Sequence, residues 1–150
     1  MNDKDELMEM IDHYLHFDDE LLHPIIEAFQ YPPIDDVDSI LMKTYFYRCV
    51  NGRGSWHVNK DALLNKSLIL IDDDDLQDIQ TAVITILHES AHSLFDHFFD
   101  PTIPNEVYRQ QEDEVWAKVR EWLPESFTAA IDKHESEGGG SNGIQNKRGK

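Results

Sequence analysis

Cysteine is nearly absent from this chain of 150 residues: Cys49 stands alone. One thiol forms no internal disulfide, so the fold is not a stapled secreted scaffold. Cys49 sits in "YFYRCVNG", at the end of an apolar segment, and reads as a small buried residue rather than a catalytic thiol. Long apolar runs are missing too, and none approaches the length of a membrane span. The opening "MNDKDELMEM" has neither the basic start nor the apolar stretch of a signal peptide, so the expected compartment is the cytoplasm. Positive charge is scarce: 13 Lys and Arg face 30 Asp and Glu, giving a net charge of −17. A surface that acidic repels phosphates, which argues against direct nucleic-acid binding. It suits solubility, attraction of a basic partner, or imitation of DNA.

What is present is a globular composition, 40% hydrophobic, of a length that fits one domain. That domain is expected over residues 1–135, with a helical part at 1–50 and a core at 54–124. The Gly/Ser-rich stretch 136–150 is expected to be a disordered tail.

Apolar residues recur at helical spacing in three early segments. Residues 3–15 carry Leu7, Met8, Ile11, Tyr14 and Leu15; residues 18–30 carry Leu21, Leu22, Ile25, Ile26 and Phe29, with Pro24 suited to a helix start. Residues 36–49 carry Val37, Ile40, Leu41, Tyr45 and Cys49, and "NGRG" closes them with a turn. "SWHVN", with Trp56 and Val58 on one face, and "SLILID" at 67–72 are strand candidates, joined by "KDALLNK" as a loop or helical turn. The fold class is therefore α+β, mainly α, with a small antiparallel sheet. The run "DDDD" at 72–75 lacks the spacing and glycine of a calcium loop, and Asp74 with Gln77 reads as a capping box. A main helix follows over about 76–98, the prolines of "DPTIPN" break it, and helices over 105–123 and "SFTAAIDKH" complete the chain.

The main helix contains "HESAH", an H-E-x-x-H pattern formed by His88, Glu89 and His92. Positions four apart bring two imidazoles onto one face, where they can share an ion, while the glutamate between them is turned aside toward a metal-bound water. This is the metallopeptidase signature on a zincin-like helix. Counting about 100° per residue puts Thr81, Thr85, His92 and Asp96 on the side of His88, with Ile79, Val83, Ile86 and Leu94 opposite.

A catalytic zinc takes three protein ligands and leaves a position for water. His97, nine residues after His88, points away from both histidines by that count. The extended motif that would need Gly at 95 and His at 98 meets Phe95 and Phe98. The third ligand is sought in "QQEDEVWAKVREWLP". Glu112 shares a face with Val115, Val119, Trp122 and Leu123 and should point inward, where a carboxylate needs a partner. Glu114 lies about 200° further round and is the reserve candidate.

"HESAHSLFDH", followed by a helix that begins with Glu112 and closes "VREWLP", resembles the ImmA/IrrE family of zinc metallopeptidases over residues 54–124. The resemblance implies a small, mostly helical gluzincin-type fold, Zn2+ held by His88, His92 and Glu112, and Glu89 as catalytic base. It implies a protein or peptide substrate. The chain departs from the family where Val115 and Trp116 replace small residues and where Asp96 replaces a frequent histidine.

On this reading a zinc-activated water attacks a peptide carbonyl, and Glu89 carries its proton to the leaving amine. Tyr108 is the first candidate for an oxyanion donor, ahead of His57 and His134. Asp96 could bond a ligand imidazole, and "SLILID" offers an edge for an extended peptide. The competing class is a non-catalytic acidic interaction or regulatory protein, either a zinc-binding module or a DNA mimic.

Overall fold

The computed structural model describes residues 1–14, 19–50, 55–58, 66–97 and 102–137, and only the backbone of 56–58. Leu15, the "NGRG" turn, nearly all of "KDALLNK", Phe98, the facing of Trp56 and Val58, and the 138–150 part of the tail lie outside the described residues.

Six α-helices and three strands are formed among the described residues. In chain order they are α1 (Lys4–Tyr14), α2 (Leu22–Phe29), α3 (Ile34–Lys43), β1 (Thr44–Cys49), β2 (Trp56–Val58), β3 (Ser67–Asp72), α4 (Ile79–Leu94), α5 (Asn105–Trp122) and α6 (Thr128–Ser136). The chain is thus mainly helical α+β. No helix among the described residues is long and apolar enough to cross a membrane.

Asp3 starts α1 by accepting from the backbone N–H groups of Asp5 and Glu6 at 3.0 and 3.1 Å. Leu7 and Ile11, one helical turn apart, are its buried residues. Pro24 falls in the first turn of α2, where its missing N–H costs no helical bond. Leu21, Ile25 and Phe29 are fully buried, and Phe29 meets Phe46 of β1 edge to face at 5.9 Å.

The third expected helix stops early. After Lys43 the run "TYFYRC" becomes β1, with Thr44 and Phe46 buried and Tyr47 exposed. Aromatic and β-branched residues alternating in burial favour a pleated surface over a helix. The strand order is β1-β3-β2, with β1 parallel and β2 antiparallel to β3. The sheet is therefore mixed, not purely antiparallel. A parallel pair needs a long crossover, and residues 50–66 supply it with β2 inside the connection.

The start of α4 also differs from expectation. Residues Asp73–Leu76 wind a single 3-10 turn, and Asp78, not Asp74, is the cap. Asp78 Oδ2 accepts from the Thr81 backbone N–H at 2.9 Å and from its hydroxyl at 3.0 Å. The helix covers 79–94, shorter at both ends than the expected 76–98, and α6 runs on to Ser136.

Helix α4 is the centre of the domain. It packs against α2, α3, α5, α6 and β3, and every residue from Ala82 to Ser93 is buried. On the polar stripe Thr85, His88 and His92 are buried under neighbouring elements, while Thr81 is half-buried and Asp96 exposed at its two ends. Ile79, placed on the apolar ridge, is 45% exposed in the first turn. Where α4 meets the sheet, Ser93 Oγ lies 2.6 Å from Thr44 Oγ1 and 2.9 Å from Ser67 Oγ. Three buried hydroxyls satisfy one another and tie helix to strands.

Candidate metal centre

His88 and His92 lie one turn apart on α4, with ring centroids 4.9 Å apart and planes nearly perpendicular. Helix α5 lies alongside and brings Glu112 to them. Glu112 Oε2 is 3.3 Å from His88 Nε2 and 2.8 Å from His92 Nε2. One donor atom from each of the three residues lies within 4.8 Å of the others, a cluster that could hold a metal ion. The inward face assigned to Glu112 is the one it occupies: Val115 and Val119 beside it are fully buried.

The donor set fits a metal. Donors bound tetrahedrally at about 2.05 Å stand roughly 3.3 Å apart, close to these separations. Both ring nitrogens of His88 and Oε2 of Glu112 are buried without a hydrogen bond, and buried polar atoms seldom remain so. Two imidazoles and a carboxylate are also the ligand chemistry zinc accepts.

Electrostatics couple the cluster. Burial disfavours the charged form of His88, but the Glu112 carboxylate, aided by Glu89, reverses that and pushes its pKa up to about 10. Burial works to raise the Glu112 carboxyl, yet His88 and His92 hold it well below the usual carboxylate range. Without metal, a proton on His88 supplies the positive charge that the carboxylate requires.

Glu89 is fully buried beside the cluster rather than in it, its Oε1 3.4 Å from His88 Nδ1, on the far side of that ring from Glu112. Tyr108 donates its hydroxyl to Glu112 Oε1 at 3.2 Å, so it reaches the site as the expected helix geometry requires. Glu112, at 15% side-chain exposure, is the most open of the three candidate ligands.

Other candidates fall elsewhere. Glu114, the reserve ligand, is half-exposed and reaches His97 rather than the cluster, its Oε2 3.3 Å from His97 Nε2. Asp96 pairs with Lys43 at 3.5 Å across the C-terminal end of α4. His134 comes to Thr85, three residues before His88, with Nε2 3.0 Å from the hydroxyl, and its ring lies 5.7 Å from Trp116. His57 lies on β2, and its side chain is outside the described set. The Cys49 thiol is pushed up to about 11 by partial burial and by Asp72, Asp73 and Asp75 around it, which agrees with an inert thiol.

Two residues at the site carry roles that the angular count did not give them. Trp116 stacks on His88 at 4.4 Å and 30°; its spacing of four from Glu112 was the available signal. His97 is no member of the ligand cluster, but it does not point away: its Nδ1 lies 3.1 Å from His92 Nδ1. The helical count fails there because the helix has ended at Leu94.

No protein-family profile, no curated protein and no solved structure matches the chain.

Proposed function

We propose that the chain is a zinc-dependent metallopeptidase of the gluzincin type, similar to the ImmA/IrrE proteins, acting on peptide bonds. The observation that carries this reading is the convergence of His88, His92 and Glu112 from two helices, with Glu89 of the same motif adjacent but outside the set. A site meant only to hold metal has no need of that glutamate.

Zinc bound there would acidify a water and polarise a substrate carbonyl. Glu89 takes up the water proton at its carboxylate and returns it to the departing amine. The Tyr108 hydroxyl, now held by Glu112, is the group available to donate to the developing oxyanion. Trp116, stacked on His88, covers that ring, and both histidines are buried from bulk water.

One observation favours a second reading, a non-catalytic zinc-binding regulatory module: Glu89 and His88 are both 0% exposed. Metal analysis of purified protein, with Glu89→Gln and Glu112→Ala, separates the two. The peptidase reading expects about one zinc per chain, metal loss in Glu112→Ala, and metal retained but hydrolysis abolished in Glu89→Gln. Metal-free native protein sinks both zinc readings; zinc with no hydrolysis of any peptide supports the second.

A further inference from the structure

We propose that His97, backed by Glu114, is a positioning residue that fixes the orientation and tautomer of His92 and so presents its Nε2 as a lone pair. This rests on reading His88, His92 and Glu112 as a metal centre.

The backbone that makes this possible is the end of α4. Asp96 takes φ 56, the left-handed conformation. The Asp96 N–H then donates to Ser93 O at 3.1 Å, and the His97 N–H to His92 O at 2.9 Å. These two bonds form a Schellman turn. It folds the chain back over the last helical turn and returns His97 to His92. Lys43 clasps the same turn, donating to Leu94 O at 3.4 Å and pairing with Asp96. Phe95 flanks the His97 ring at 5.6 Å.

With a metal ion on His92 Nε2 and both rings neutral, the protons along this chain have one consistent arrangement. His92 Nε2 faces the cluster, 2.8 Å from Glu112. A metal-ligating nitrogen offers a lone pair, so a neutral His92 carries its hydrogen on Nδ1. That N–H donates to His97 Nδ1, which accepts at 3.1 Å. His97 then carries its own hydrogen on Nε2 and donates to Glu114 Oε2 at 3.3 Å. Every donor meets an acceptor, and the chain ends on a carboxylate. The two rings are nearly buried, at 2% and 9% exposure, so water does not readily replace the link. Glu112 and Glu114 both stand on α5, so one helix supplies a ligand and the outer anchor of another ligand.

The test is cobalt(II) titration of the full chain, read by d–d absorption and by competition with a chelator. His97→Phe keeps a ring but removes the acceptor facing His92, and cobalt binding is expected to weaken about 10–100-fold with an altered d–d band. His97→Asn puts a carbonyl oxygen where Nδ1 stands, offers it to the same N–H, and is expected to restore binding to within roughly threefold of wild type. Glu114→Ala, at a half-exposed position, is expected to weaken binding by less than His97→Phe but measurably. Thermal unfolding of each metal-free variant separates lost positioning from lost fold. If His97→Phe fails to fold, Glu114→Ala decides, and wild-type affinity there overturns the relay. Unchanged affinity and spectrum in His97→Phe, or equal losses in His97→Phe and His97→Asn, also overturn it while the metal centre stands. A wild-type chain that takes up no cobalt overturns the metal centre and the relay together.

Discussion

The indole of Trp116 lies stacked on the imidazole of His88, 4.4 Å between centroids. In the metal-free protein that imidazole carries a proton, its pKa held near 10 by Glu112, so a cation rests on an aromatic face. Metal uptake displaces the proton and changes what the indole touches. Zinc titration is therefore expected to shift the intrinsic fluorescence, and Trp116→Phe to abolish the shift although Trp56 and Trp122 remain. A full response in Trp116→Phe would show that the stack does not report the site.

The His88–Glu112 pair makes metal-free stability depend on pH. The folded pKa of His88 is raised from 6.5 to about 10, so its contribution is complete below 6.5 and is lost as pH climbs through 10. The folded pKa of Glu112 is depressed from 4.5, so its contribution is present above 4.5 and disappears as pH falls below it. Denaturation of wild type and Glu112→Gln, both metal-free, is expected to differ most between these limits. The difference should shrink as pH rises toward 10; a constant difference would contradict the pairing. Metal affinity should move the opposite way and strengthen with pH, because binding expels the His88 proton.

The hydroxyl trio of Thr44, Ser67 and Ser93 joins α4 to the two parallel strands. Ser93→Ala leaves two buried hydroxyls without their shared partner. Its expected cost is about 1–3 kcal/mol, measured by denaturant unfolding.

Cap assignment at α4 is open to a paired measurement. Asp78→Ala should cost about 1 kcal/mol, a fall in Tm of roughly 2–4 °C for a chain of this size. Asp74→Ala, at an exposed position outside the helix, should stay within about 0.5 kcal/mol.

How legible the site was follows from where helical geometry holds. His88, His92 and Glu112 lie inside helices, where about 100° per residue places side chains well, and the structure brings these three together. His97 was misplaced because it follows a left-handed residue, Asp96, which helical counting does not foresee. Buried Thr85 and His88 show a second limit: polarity along a helix marks a distinct face, but whether water or another helix covers that face depends on tertiary packing. β1 was read as helix because Tyr45 and Cys49 stand four apart, a spacing that also fits a helix face. Its parallel pairing to β3 depends on chain-distant contacts that no local pattern encodes.

The convergence of Glu112 on the two histidines has a consequence for how a metal ion would be taken up there. α4 is held by apolar packing, by the hydroxyl trio and by its end turns, and a proton substitutes for the cation in the charge balance. The ligands are thus gathered by the fold itself. A receptor built this way would keep its shape without the ion, unlike a small zinc finger that needs metal to fold. Chelation should empty it without unfolding it, and the ion it carries would be chosen by supply and by ligand chemistry at the moment of loading, after the polypeptide has already taken shape.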